Sequence, residues 1–203
     1  MQKLVAATNN QGKLKEIKEI LNNYEIKSLK EVNCETEVEE DQETFEGNSF
    51  KKAKEISETI HMPCIADDSG LCIDVLDGWP GVYTARFLGE NATQKERNKA
   101  ILEKMKNYKG EDRKARVICV ITYYDETGKC ITSKGEVEGK IAELPRGENG
   151  FGFDEIFELP NGKTYAELSS EEKNEVSHRR KALGNLKNHV TGKWKCLKKI
   201  LYW

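Results

Sequence analysis

The apolar positions of this chain switch between a period of two and a period near 3.6, and each switch marks an element. Lys3-Leu4-Val5-Ala6-Ala7-Thr8 reads as a short strand. Asn9 to Gly12 breaks it, and Leu14, Ile17, Ile20 and Leu21 then recur at helical spacing as far as Asn22. Residues 33 to 43 are almost wholly acidic or polar, as in a solvated surface run. A second helix is expected from about Thr44, with Phe45, Ala53, Ile56 and Ile60 inward, Lys51, Lys52 and Lys54 around it, and Pro63 ending it. Thr93 can cap a third helix that turns Ala100, Ile101, Leu102 and Met105 to one face. Ala115 to Tyr124 is the candidate central strand, and Lys129 to Gly139 is its hairpin partner across the turn Asp125-Glu126-Thr127-Gly128. Ser169-Ser170-Glu171-Glu172 has the form of a capping box, and a last helix carries Ala182, Leu183, Leu186 and Val190. The Lys-rich tail ending in Ile200-Leu201-Tyr202-Trp203 is expected to pack back.

Three stretches interrupt this pattern with chemistry. The first organises the rest: Cys64-Ile65-Ala66 ends in Asp67-Asp68-Ser69-Gly70, which suggests a strand delivering two carboxylates to a turn at a sheet edge. Neighbouring carboxylates repel unless a cation or proton lies between them, and Mg²⁺, with its preference for oxygen, is the natural guest. Two alternatives stay open on these residues alone. The turn can simply cap its strand through side-chain-to-backbone bonds. Apolar-Asp-Ser-Gly is also the loop of aspartic proteases, whose paired carboxylates share a proton, but that fold is all-β and helices are expected on both sides here.

The second stretch is Asn9-Asn10-Gln11-Gly12-Lys13, a polar loop opening a helix. Free backbone N–H groups and the positive end of the helix dipole face it, and Lys13 adds a full charge where a phosphate would dock. The glycine spacing of a P-loop is absent, so an ordinary capped helix remains the alternative. The third is Glu148-Asn149-Gly150-Phe151-Gly152-Phe153-Asp154, where glycines let backbone approach a ligand and the rings offer faces for stacking on a nucleobase. Glycine-aromatic loops also occur at sheet edges. His178 and Arg179, at a helix start, would ordinarily be surface residues.

Composition narrows the partners. With 203 residues the chain can build one core or one core with a smaller lobe. Its 33 basic and 35 acidic side chains give a net charge of −2, without the basic excess that general nucleic-acid binding requires. Cysteines at 34, 64, 72, 119, 130 and 196 form no Cys-x-x-Cys pair and accompany only three histidines, which argues against zinc. No apolar run reaches a membrane span and the N-terminal residues do not make a signal peptide, so a cytoplasmic protein with reduced thiols and no membrane partner is expected.

Together these loops resemble the inosine/xanthosine triphosphate pyrophosphatase family over about Lys3 to Leu186. The motifs that carry the resemblance are Thr8-Asn9-Asn10-Gln11-Gly12-Lys13, Thr44-Phe45-Glu46-Gly47-Asn48, Ala66-Asp67-Asp68-Ser69-Gly70-Leu71, Pro80-Gly81-Val82-Tyr83-Thr84-Ala85-Arg86, Gly150-Phe151-Gly152-Phe153-Asp154 and Glu172-Lys173-Asn174-Glu175-Val176-Ser177-His178-Arg179. Each is modest alone, but six in one order are specific. The resemblance implies an α/β fold: a long twisted mixed β-sheet with flanking helices, forming two lobes around a nucleotide-binding cleft in a single domain over residues 1–203. It also implies a homodimer and Mg²⁺-dependent cleavage of deaminated purine nucleoside triphosphates (ITP, dITP, XTP) into monophosphate and pyrophosphate.

The implied roles fall on matching positions. Asp68 corresponds to the catalytic base and a metal ligand, and Glu40, alone or joined by Glu39, to the metal-binding carboxylate. Thr8, Asn9, Asn10, Gln11, Gly12 and Lys13 correspond to the phosphate loop, with Lys52 reaching in from the second helix and Ser69 touching substrate. Phe151, Gly152, Phe153, Asp154, Lys173, His178 and Arg179 correspond to the base-recognition set. An Arg179 donor would favour the C6 carbonyl of hypoxanthine and xanthine over the amine of adenine. Glu155 stands where the family usually has proline, which predicts a less rigid loop, and Phe153 where tyrosine is common. A nucleotide sensor without chemistry is the rival from another class. A phosphatase forming an aspartyl-phosphate needs an Asp-x-Asp loop, and Ser69 fails that spacing.

Overall fold

The computed structural model describes residues 2–89 and 91–190. The packing expected of Val190 and of the tail through Trp203 lies outside the described residues and side chains. One six-stranded sheet runs in the order β2-β1-β3-β4-β5-β6. Its strands are β1 (Lys3–Ala6), β2 (Glu25–Ser28), β3 (Cys64–Ile73), β4 (Lys114–Tyr124), β5 (Cys130–Ile141) and β6 (Phe157–Glu158). β1 lies parallel to β2 and β3, and the remaining pairs are antiparallel, which is the expected mixed α/β sheet. Helices α1 (Gln11–Ile20), α2 (Phe45–Ile60), α3 (Gln94–Met105), α4 (Ser170–Val176) and α5 (His178–Val190) cover it.

Two apolar regions mark the two lobes. Near β1, Leu4, Ile17, Ile20, Ile65 and Leu183 pack on one face of the sheet, and Val5, Ala53, Ile56 and Ala66 on the other. Further along, Leu71, Ile73, Ile101, Met105, Phe157 and Tyr165 form a separate core around α3 and β6. The caps expected at Thr93 and Ser169 are present as capping boxes with Glu96 and Glu172, and Thr44 caps α2 by accepting from Gly47 N. In α3 the inward face differs from the expected one. Ala100 and Leu102 are only half-buried, while Arg97 and Asn98 are buried, Arg97 donating to the carbonyls of Phe87, Gly89 and Ala92.

The turn expected at Asp67-Asp68-Ser69-Gly70 is absent. β3 continues through it, in register with β4 from Cys64 opposite Tyr124 to Ile73 opposite Ala115, and it lies inside the sheet rather than at its edge. Gly70 sits in the strand because the Gly81 carbonyl and the Thr84 hydroxyl press on the place where a Cβ would be. On its other side β3 is only partly covered. β1 accompanies it through Ile65, and pairing resumes at Cys72 opposite Pro80. Asp67, Asp68 and Ser69 therefore lie in a gap between the two lobes.

Adjacent residues of a strand point to opposite faces. Asp67 joins the face carrying α1 and α5, and Asp68 the face carrying α2, so the two carboxylates do not confront each other or share one cation. A second departure concerns the C-terminal helices. The chain breaks at Ser177, whose hydroxyl accepts from Arg180 N and restarts the helix as α5. The first turn of α5 lies directly on Gly135 of β5, where any side chain would collide with the His178 carbonyl. That close approach buries His178 and Arg179, to 3% and 1% exposure, instead of leaving them on the surface.

Candidate active site

Asp68 projects from the gap towards α2. Asn48 donates to its Oδ2 at 2.9 Å and Ser69 N–H to its Oδ1 at 3.0 Å, but no cation pairs with it among the described residues. Asn48 is itself oriented by Gln42 N–H, which donates to its Oδ1 at 2.9 Å, so the acidic run is tied to the same side chain. Glu40 comes from that run, pairs with Lys52 of α2, and accepts from Arg86 Nη1 at 3.3 Å. Burial, reinforced by the charge of Glu40, pushes the Asp68 carboxyl up to about 6. Burial also opposes the charge on Glu40, but Lys52, with Lys13 and Arg86, outweighs it and holds that carboxyl below its usual range.

A cleft of about 360 Å³ is lined by Thr8, Asn9, Asn10, Lys13, Glu40, Lys52, Asp68 and Ser69. Asn10 is also the cap of α1, its Oδ1 accepting from Lys13 N at 3.1 Å. Along the acidic run half-buried and exposed positions alternate, so that Glu40 is half-buried and Glu39 exposed. Gln11, which is exposed, and Gly12 line neither this cleft nor the cavity next to it, unlike Asn10 and Lys13 on either side.

Asp67 anchors the opposite face. Lys13 Nζ lies 2.5 Å from its Oδ1, and Arg179 donates to Oδ2 from Nε at 3.1 Å and from Nη2 at 2.9 Å. Burial would raise this carboxyl, yet Arg179 and Lys13 hold it well below the usual range. Arg179 also reaches Glu16 of α1, which takes Lys173 Nζ at 2.8 Å on its other oxygen. Lys173 in turn lies 2.5 Å from Asp154, whose Oδ2 accepts from Phe151 N at 2.8 Å. One chain of charges thus joins Lys13 to the glycine-aromatic loop.

That loop closes a smaller cavity of about 90 Å³, lined by Phe151, Gly152, Phe153, Asp154, Lys173, His178 and Arg179. Asn10, Lys13 and Ser69 line both spaces, so cavity and cleft are continuous. The Phe151 ring lies against Gly12, beneath Lys173 Nζ at 4.5 Å from its centroid. His178 stacks on Tyr165 with 6.1 Å between centroids. Burial and the charges of Arg179 and Lys173 hold its imidazole neutral, and its Nδ1 has no partner. Glu155, at the usual proline position, accepts from Asn98 Nδ2 at 2.8 Å, and the same amide donates to the Gly152 carbonyl at 3.0 Å. The loop is therefore tethered to α3 by hydrogen bonds.

The expected site residues are held in place by partners that sequence reasoning missed, namely Glu16, Asn48, Asp67 as an anchor, and Arg86. Glu16 has a visible signal, since it lies three residues after Lys13 on the apolar stripe of α1. Asn48 lies one turn before Lys52 on the same face of α2. A larger cavity of about 440 Å³ lies near Asp74, Lys114, Arg116 and Lys140, whose cations pair with Glu111, Asp74 and Glu158.

The model of the Ham1 family matches residues 4–189. The chain belongs to the Ham1 family. The dITP/XTP pyrophosphatase of Clostridium perfringens is 45% identical over 201 residues, covering 95% of this chain and 98% of that one. The enzyme of the same name from Bacillus subtilis is 45% identical over 189 residues, covering 92% and 96%. Among solved structures, the Staphylococcus aureus Ham1 protein superposes with a TM-score of 0.84 at 39% identity, covering 95% of this chain and 100% of that one. A Coxiella burnetii HAM1 protein gives 0.84 at 40%, covering 94% and 99%. No helix among the described residues is long and apolar enough to cross a membrane.

Proposed function

We propose that this Ham1 chain hydrolyses deaminated purine nucleoside triphosphates, ITP, dITP and XTP, to the monophosphate and pyrophosphate, clearing them from the nucleotide pool. The carrying observation is the pair Glu40 and Asp68 in a cleft that also holds Lys13 and Lys52 and opens into the cavity of Arg179 and Phe151. The names of the similar enzymes support the substrate class.

Two carboxylates with only oxygen donors fit Mg²⁺, which takes few protein ligands and completes its shell with phosphate and water oxygens. Glu40 and Asp68 would hold the ion. When bound, it neutralises phosphate charge and makes water easier to deprotonate.

The chain's own residues do the rest. Lys13 and Lys52 hold the leaving phosphates, with Thr8, Asn9, Asn10 and Ser69 around them. Asp68, which carries no cation of the protein's own among the described residues, accepts the proton of the attacking water. The water oxygen bonds to the α-phosphorus, the bond from that phosphorus to the bridging oxygen breaks, and pyrophosphate leaves with the electron pair. Arg179 has five N–H groups, of which four are committed to Asp67, Ser69 and Glu16, so one Nη1–H remains for a C6 carbonyl. Phe151 and Phe153 supply flat faces, and Asp154 and Lys173 fix the loop. The same reading includes a homodimer, which would cover exposed apolar side chains such as Tyr83 and Leu88.

Hydrolysis of ITP in ¹⁸O-labelled water tests the bond cleaved. The label is expected in the monophosphate with unlabelled pyrophosphate released. Label in pyrophosphate, or release of orthophosphate and diphosphate, would refute attack at the α-phosphorus.

A further inference from the structure

Both oxygens of Glu40 already carry a cation. Lys52 approaches Oε1 from α2, and Arg86 donates to Oε2 from the segment that follows the short helical turn Gly81–Tyr83. The Arg86 guanidinium is held over the Tyr83 ring, 5.0 Å from its centroid, and no second carboxylate pairs with it among the described residues. Its side chain and that of Glu40 are each 29% exposed, and a pair so accessible adds little to folding. Asp68, by contrast, is satisfied by an amide and a backbone N–H. The cleft thus sets cations on one of its two carboxylates only.

Resting on the assignment of Glu40 and Asp68 to the divalent ion, we propose that Lys52 and Arg86 stand in for that ion at Glu40 until a triphosphate draws them away. Arg86 is then a positioning residue that couples the nucleotide to the cation. A bare divalent ion approaching Glu40 meets two positive charges already at bonding distance, whereas an anionic triphosphate offers both side chains a better partner. Cation and nucleotide therefore enter cooperatively, and by linkage each tightens the other by the same factor. The charge of Arg86, rather than its packing on Tyr83, carries this effect.

Mn²⁺ uptake followed by electron paramagnetic resonance tests the proposal without turnover. Wild-type protein, Arg86→Met and Arg86→Lys are titrated alone and with an α,β-methylene analogue of ITP, after subtraction of the Mn²⁺ that the analogue binds by itself. Arg86→Met alone should bind Mn²⁺ at least about fivefold more tightly than wild type and gain less from the analogue, while Arg86→Lys stays close to wild type. Equal Mn²⁺ affinity of wild type and Arg86→Met without nucleotide overturns the proposal while leaving the metal assignment standing. Failure of wild type to take up Mn²⁺ even with the analogue overturns the metal assignment and the proposal together.

Discussion

Asp68→Asn is expected to lower turnover by about 10²–10⁴-fold while the nucleotide still binds. Of the three carboxylates at the gap in β3, Asp67 is sealed between Lys13 and Arg179 and Glu40 is covered by Lys52 and Arg86. Only Asp68 faces the cleft free of a cation, with a carboxyl at about 6 that can take a proton near neutral pH. The amide has nearly the same shape, so the fold should lose little. Gln42 N–H fixes the orientation of Asn48, so an asparagine at 68 must give up either the Asn48 or the Ser69 N–H bond, at a cost of about 1 kcal/mol. Single-turnover pyrophosphate release, beside equilibrium binding of the α,β-methylene analogue, separates the two effects. Turnover like that of wild type would remove Asp68 from the chemistry.

Asp67→Asn should act on stability as much as on activity. Its carboxylate, 2% exposed, is shared by Lys13 and Arg179 and also accepts from the Ser69 hydroxyl at 2.5 Å and the Cys119 thiol at 3.2 Å. An amide there leaves two largely buried cations with Glu16 as the sole remaining carboxylate partner, and only for Arg179. Breaking a buried pair from one side costs about 3–5 kcal/mol. At about 2–4 °C per kcal/mol for a chain of this size, the melting temperature should fall by about 6–20 °C. A thermal melt followed by circular dichroism measures it, and a midpoint within a degree or so of wild type would mean that the shared carboxylate does not hold Lys13 and Arg179 in place.

The two acids illustrate what was legible in the sequence and what was not. Six short motifs located the cleft and the base loop, because loops that break a strand or helix with several polar residues are visible one segment at a time. The same local logic misread Asp67-Asp68-Ser69-Gly70 as a turn. Two acids and a glycine ordinarily end a strand, and what keeps β3 going is distant: Lys13 and Arg179 on one face, Asn48 on the other, and the Gly81 carbonyl against Gly70. His178 and Arg179 looked like solvated residues of a helix start for a similar reason. Their burial depends on Gly135, more than forty positions earlier, which lets α5 lie on β5. Glu16 was within reach, as a charge on the apolar stripe of α1. Arg86 was not, since nothing local indicates that its segment folds back to Glu40.

The most direct measurement is pyrophosphate release from ITP, dITP and XTP against ATP at equal concentration, with and without Mg²⁺. Release that requires Mg²⁺ and is at least about 10²-fold faster from the three C6-oxo substrates than from ATP is the predicted result. Equal release from all four would contradict the role given to Arg179 and its cavity, and no release from any of them would leave a cleft that binds nucleotides without cleaving them.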